Sequence, residues 1–498
     1  MGDANSLLSA AEARHLVRRT GFGVDRNLVD ALAGLTRGQA AARLLDFKVR
    51  ANAPRGRDFR ALHDKWLKQL VGTRVPLFEK LVLFWHDHFA TNFTTVPRAD
   101  AMSRQNRRLR EFCKGNFREF VRAMNTDWAM MIFLDTEDNQ KEVPNENYAR
   151  ELLELFTLGV FDANGNANYA EADIKQIARA FTGWSPDDRG LPQFTGGSGD
   201  TAGGADCGWY SATGEHDYSV CFPERGPKVI FQSTGGFGPG GRSFTVGGEG
   251  ANEIDEVVDI LFAHTDSDGR NTVARYIGRR LFEHFAYANP ATAVIDAIID
   301  DSGFDTSFVI ADYLASLFCH DEFFASMAPP GPGVRRSVKW PIDYVLGTLR
   351  MLKVKPQGRR LYIAGGDWSE LLWQLERMGQ VLFEPPTVFG WDLEGGWVSS
   401  SSLLARYSFA RDVTAAREGS GRFQHQKVVD LDLTDPAAIV DAVLEALGVP
   451  DQFSPAEIQV MRDYLGPGPV DLWDYDTRNR KLSGLFRLVL QSPAYQTH

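Results

Sequence analysis

Cysteine is scarce in this chain, four residues in 498, too few for a framework of disulfides to carry the fold. Cys113 and Cys319 fall within helix-like apolar patterns and read as buried thiols, whereas Cys207 and Cys221 bracket a glycine-rich loop at a separation that a disulfide can close. Long apolar runs are missing too. No stretch reaches the roughly eighteen consecutive apolar residues that a membrane-spanning helix needs, so no membrane span is expected. The opening Met1 to Ala13 lacks the basic start, apolar middle and small-residue cleavage site of a signal peptide. A basic excess is also absent. The 54 Lys and Arg face 65 Asp and Glu, a net charge of -11, which argues against a protein whose main task is gripping nucleic acid or an anionic membrane. The chain contains no Gly-x-Ser-x-Gly elbow, His-Glu-x-x-His helix or Cys-x-x-Cys pair, which leaves serine-hydrolase, zincin and thioredoxin-like readings without support. The glycines of Gly235 to Gly250 lack the Lys-Ser or Lys-Thr of a phosphate loop, so no nucleotide cofactor is indicated.

What remains is the composition of an ordinary globular protein, 43% hydrophobic and 24% charged, with ample length for a large core. From Ala10 to Phe181 the apolar residues recur at helical spacing, in segments such as Ala10 to Thr20, Leu77 to Phe89, Phe117 to Asn125 and Asn147 to Leu158. Between Trp184 and Gly250 the chain turns to Gly, Ser, Pro and aromatic residues with short β-like pieces at Lys228 to Gln232 and Ser243 to Val246. Helical periodicity then returns. The expected fold is mainly α, one large multi-helical domain or two closely packed helical lobes. It divides into an N-terminal helical region (7–183), a glycine-rich, partly β insertion (184–250), a central helical region (251–382), an aromatic and proline loop (383–402) and C-terminal helices (403–498).

Two segments carry most of the candidate chemistry. The first is His86-Asp87-His88, at the end of a helix whose apolar stripe is Phe78, Leu81, Val82, Trp85 and Phe89. If that helix continues, the two imidazoles point about 160° apart and cannot share one metal. If the chain becomes extended after Trp85, they point the same way and form a metal or proton-transfer pair. The second is Asn145 to Gly159 (NENYARELLELFTLG), which sets Leu152, Leu153, Phe156 and Val160 on one helical face and Asn147, Arg150, Glu151 and Glu154 on the other. Glu151 and Glu154, three apart, suit a hard cation or a division of acid and base roles. Asn145, Asn147 and Arg150 are the candidates to orient them or to bind substrate. The bland alternative pairs Arg150 with Glu146 and Glu154 along the helix, at roughly 0.2 to 0.5 kcal/mol each. A third piece, His216-Asp217, lies in the glycine-rich loop, from which His216 is a candidate ligand and Asp217 a candidate substrate contact. Arg14, Arg18 and Arg19, with Arg104, Arg107, Arg108 and Arg110, read as solvated or as cross-links between helices, with a phosphate, sulfate or carboxylate substrate as the alternative, and Trp184, Trp391 and Trp397 as packing wedges, with stacking surfaces as the alternative.

Taken in order, His15 to Gly23 (HLVRRTGFG), Phe84 to Asn92 (FWHDHFATN), Asn145 to Gly159, Tyr169 to Trp184 ending in FTGW, His216-Asp217 and Phe383 to Trp391 (FEPPTVFGW) resemble the bacterial family called domain of unknown function 1800. The resemblance covers roughly 7–411 and, more weakly, the last helix. It implies a mostly helical fold without a settled chemistry. It also implies a periplasmic or secreted setting, against a cytoplasmic one, and a partner resembling the alkaline phosphatase and sulfatase superfamily. The expected function is a metal-dependent enzyme using zinc, iron or manganese, with His86, His88, Glu151, Glu154 and His216 as ligands or proton carriers. Hydrolysis is the preferred reaction and metal-dependent oxidation the variant. The competing expectation is a noncatalytic, exported binding or assembly protein.

Overall fold

Helix starts are written locally in this chain. Ser9 and Glu12 form a reciprocal capping box at the head of Ala10–Thr20, Thr36 and Gln39 do the same for Arg37–Leu45, and Asn116 accepts from the Glu119 backbone to open Phe117–Asn125. Pro76 occupies the first turn of the helix Pro76–His88, where its missing N–H costs nothing. The computed structural model describes residues 3–139, 144–186, 192–194, 227–244, 253–327, 329, 331, 334–354, 368–391, 394–415 and 423–498. Within them the fold is mainly α, as the periodicity predicts.

The helix Pro76–His88 organises the packing. Every residue from Leu77 to His88 is buried, so this is a central helix surrounded on all sides, rather than the one-faced helix its apolar stripe suggested. Complete burial makes each of its polar side chains costly unless it is bonded. Glu79 therefore receives a forked pair of bonds from Arg110, at 2.8 and 2.9 Å, and the Trp66 indole N–H at 3.2 Å. Lys80 meets Asp343 at 3.0 Å. His86, Asp87 and His88 fasten three further segments, described below. The apolar surroundings include Trp85, stacked on Phe117 and T-shaped to Phe120.

The β content is small. Trp184–Pro186 pairs antiparallel with Pro192–Phe194, and Lys228–Ile230 with Arg242–Phe244, so that Lys228 lies opposite Phe244. Both pairs belong to the segment in which the sequence changes character. His216, Asp217, Cys207 and Cys221 lie outside the described residues. Cys113 and Cys319 are free and buried. Trp391 and Trp397 are core residues, 3% and 2% exposed. Among the described residues no helix is long and apolar enough to cross a membrane.

Candidate functional site

The helix runs on through His88, which puts the two histidines on opposite flanks. His86 Nε2 accepts the backbone N–H of Phe383 at 3.2 Å, and its ring packs against Trp66, Phe383 and Trp391. Burial holds its conjugate acid down at about 3, so the ring is a neutral acceptor. His88 Nε2 meets the carbonyl of Phe156 at 3.2 Å and the ring is stacked on Phe84. Burial, with Arg280 nearby, holds its acid well below the ordinary histidine range. The Nδ1 atom of each ring is buried without a protein partner.

Asp87, between them, accepts the backbone N–H of Trp391 at 2.7 Å and stands 3.6 Å from the Arg280 guanidinium. Burial raises its carboxyl to about 6 against the pull of Arg280 and that N–H. The contact needs Gly390, whose φ is +86°, because a Cβ there would meet Asp87 Oδ1 and its carbonyl oxygen. His63, a residue the sequence reading passed over, holds the same loop through the carbonyl of Leu382. The FEPPTVFGW loop is thus seated on the end of the central helix by main-chain bonds to His86 and Asp87.

The Asn145 to Gly159 segment begins as an α-helix, Asn147–Glu151, and then widens into a π-helical turn, Leu152–Thr157, in which the Leu158 N–H reaches the Leu153 carbonyl at 2.9 Å. π-turns of this kind occur often at functional sites. A phenol fixes it from outside: Tyr276, on the helix Thr272–Phe285, donates to the Leu155 carbonyl at 2.9 Å. Leu152, Leu153 and Phe156 are buried as expected, while Val160, past the left-handed Gly159, is exposed.

On the polar side the candidates separate. Asn145 bonds the Asp135 carbonyl and Asn147 the Asp135 carboxylate, at 3.1 and 3.3 Å, so both tie the start of the segment to one turn. Arg150 forks onto Glu171 at 2.6 and 3.1 Å and reaches Glu146 at 3.2 Å. Glu154 is left to a different partner, the Tyr169 hydroxyl, which donates to it at 3.0 Å. Glu151 is half-buried, and burial and the like charge of Glu154 raise its carboxyl to about 7, only partly opposed by Arg150. Tyr276 and Arg280, four apart and on one helix face, link this pair to Asp87: Glu151, Glu154 and Arg280 all act electrostatically on the Tyr276 phenol. Glu283, three residues beyond Arg280, has its carboxyl raised by burial and accepts the Asn289 N–H at 3.1 Å.

The described residues bring together Glu151, Glu154, Tyr169 and Tyr276. They do not bring together the metal set expected from sequence. His86 and His88 face away from each other, both are engaged by backbone, and His216 lies outside the described residues. Among the described residues no three His, Cys, Asp or Glu side chains are grouped so as to hold a metal ion. Asp87, Arg280, Tyr169 and Tyr276 are the members that sequence reasoning missed. Asp87 and Tyr169 stood inside quoted motifs, but nothing in the sequence connects Arg280 or Tyr276 to them.

A separate concavity of about 860 Å³ opens at the Gly21-Phe22-Gly23 turn, where Arg26, Arg43 and Arg350 alternate with Asp25, Asp46 and Glu445. It is where the HLVRRTGFG motif comes to the surface, and none of the candidate residues above borders it.

No curated protein and no solved structure matches the chain. The family model described as "Protein of unknown function (DUF1800)" matches residues 15–497, which takes in the stretch between 411 and the last helix as well. With nearly its whole length matched, and with the helical architecture that the resemblance implied, the chain belongs to the DUF1800 family.

Proposed function

We propose that the chain is a hydrolase whose proton-transfer group is Glu151. The observation that carries this reading is the pairing of Glu151, half-buried with its carboxyl at about 7, with a Glu154 carboxylate oriented by the Tyr169 phenol. A carboxyl that titrates near neutrality is populated in both forms at working pH, which is what an acid–base catalyst requires. In the proposed reaction Glu151 gives its proton to the leaving oxygen, Glu154 takes a proton from the attacking water, and water is added across the broken bond. The pair on the π-turn supplies the two carboxyls that acid–base hydrolysis asks for. Arg280, 23% exposed and only loosely paired with Asp87, is placed to receive an anionic part of the substrate.

The test uses chromogenic aryl esters, phosphates, sulfates and glycosides with the full chain. The proposal expects turnover of one class, a bend in kcat/KM near pH 7, and a loss of about 10²- to 10⁴-fold in Glu151→Gln with the fold retained. Tyr169→Phe loses less. Wild-type turnover in Glu151→Gln overturns it. So does an absence of turnover together with a Glu151 carboxyl that titrates by NMR at an ordinary value, and that outcome favours the binding or assembly reading.

A further inference from the structure

Where the π-turn ends, side chains from distant parts of the chain take the place of helical main-chain bonds. The N–H groups of Leu158 and Gly159 both turn back to the Leu153 carbonyl, at 2.9 and 3.0 Å, which passes over the carbonyls of Leu155 and Phe156. Carbonyls at a helix end need partners from elsewhere. The Tyr276 hydroxyl, on the helix Thr272–Phe285, donates to that of Leu155 at 2.9 Å, and His88, on the central helix, meets that of Phe156 at 3.2 Å. Asn168 gives its side-chain N–H groups to the Leu158 and Gly159 carbonyls, both at 3.0 Å, and inside the turn the Thr157 hydroxyl bonds the Leu152 carbonyl.

The chemistry leaves His88 one role here. A carbonyl oxygen only accepts, so His88 Nε2 carries the proton, and burial keeps the ring neutral. It is a fixed donor. Tyr276 is fitted as closely, for its ring lies against Gly159, where a Cβ would come 2.9 and 3.0 Å from Cδ2 and Cε2. Side chains that reach into a helix ladder in this way are a known cause of its local widening.

We propose that Tyr276 and His88 are positioning residues for the pair Glu151 and Glu154. By engaging the Leu155 and Phe156 carbonyls they hold the turn in its wide register, and the register sets the direction of Glu154. On a regular α-helix two residues three apart stand about 60° from each other around the axis. A wider turn advances less per residue and swings Glu154 farther from Glu151. Glu154 then meets the Tyr169 phenol at 3.0 Å, while Arg150, four residues before it, goes to Glu171 and Glu146. The inference rests on the hydrolase reading for its kinetic consequence and not for its structural one.

Two variants of the full chain test it: Tyr276→Phe, which keeps the ring and removes the hydroxyl, and His88→Phe, which keeps an aromatic ring and removes the donor. Their crystal structures are expected to show the Leu158 N–H returned to the Glu154 carbonyl, the α-helical partner, with the contact between Glu154 and Tyr169 lost. On a substrate that the wild type hydrolyses, kcat is expected to fall about 10- to 10²-fold with KM unchanged, and His88→Gln, whose amide restores a donor, to recover part of the loss. A turn that keeps its wide register in both variants overturns the proposal, whether or not the chain is a hydrolase. So does a lost register with wild-type kcat. A lost register and a lost Tyr169 contact, in a chain that turns over none of the substrates, uphold the positioning and count only against the hydrolase reading. Should His88→Phe fail to fold, Tyr276→Phe alone gives both readings.

Discussion

The end of the central helix and the π-turn hold the same kinds of side chain, acids and imidazoles or acids and phenols, under different conditions. His86, Asp87 and His88 are at most 2% exposed, and each is bonded to or accepts from the main chain of another segment. Glu151 and Glu154 are half-buried, and neither is paired with the arginine of its own helix, which turns instead to Glu171 and Glu146. Full burial demands that a polar group be used up by a bond. Half-burial shifts the proton equilibrium without consuming the group. The difference separates residues that hold the fold together from residues free to react, and it cannot be read from residue type alone.

The sharpest way to break that comparison is at Gly390. Gly390→Ala places a Cβ against Asp87 at a left-handed backbone position and is expected to cost about 3 kcal/mol, measured as a lower urea midpoint with an unchanged slope. Next in size is His86→Ala, which removes an acceptor and three aromatic contacts at a buried position, a loss of about 2 kcal/mol. The wild-type histidine also has a signature in acid. Its folded-state value of about 3 lies below the unfolded 6.5, so the unfolded chain binds more protons between them. Its contribution is complete above pH 6.5 and is lost as pH falls toward 3. His86→Ala should flatten that limb, and an unaltered limb would show that the ring is not held neutral.

The smallest effect has the opposite sign. Glu151 has its carboxyl raised from 4.5 to about 7, so the folded chain binds the extra proton. The wild type is most favoured below pH 4.5 and loses stability as pH rises through 7. Glu151→Gln removes that slope and is expected to be more stable than the wild type at pH 8 by about 1 kcal/mol after solvent screening, with no gain at pH 4. A stabilising substitution at a residue needed for turnover is the expected mark of a reactive group. A Gln variant that is less stable at pH 8 would place Glu151 with the binding groups of the central helix.

Much of the helical frame was legible. Ala10–Thr20 and Phe117–Asn125 begin and end where caps and periodicity put them, because those signals are local. The helix Ile310–Cys319 starts just after Phe308, which adopts a left-handed conformation at φ +51°. The π-turn was not legible. The Leu155 carbonyl within it takes a bond from Tyr276, which comes from more than a hundred residues away, and a helical wheel drawn at 3.6 residues per turn placed Val160 inside. For His86 and His88 the sequence offered helix or extended chain with opposite consequences. Packing of one ring on Trp66, Phe383 and Trp391, and of the other beside Phe117 and Phe156, accompanies the helical outcome. Arg150 was expected to serve Glu154, but the helix Glu171–Ala180 offered Glu171 instead.

Because the loop from Phe383 to Trp391 is clasped through its peptide nitrogens, the clasp reads where the backbone is and not what most of the loop spells. The Phe383 and Trp391 rings, the Glu384 carboxylate that caps the Phe93 N–H, and Gly390 are committed. Thr387, though exposed, accepts the Phe389 N–H through its hydroxyl at 3.2 Å and so shapes the turn, whereas the Pro386 and Phe389 side chains are exposed. Those two positions form an interchangeable tip on a fixed mount, where a library of substitutions could be displayed beside the helix end without loosening its hold.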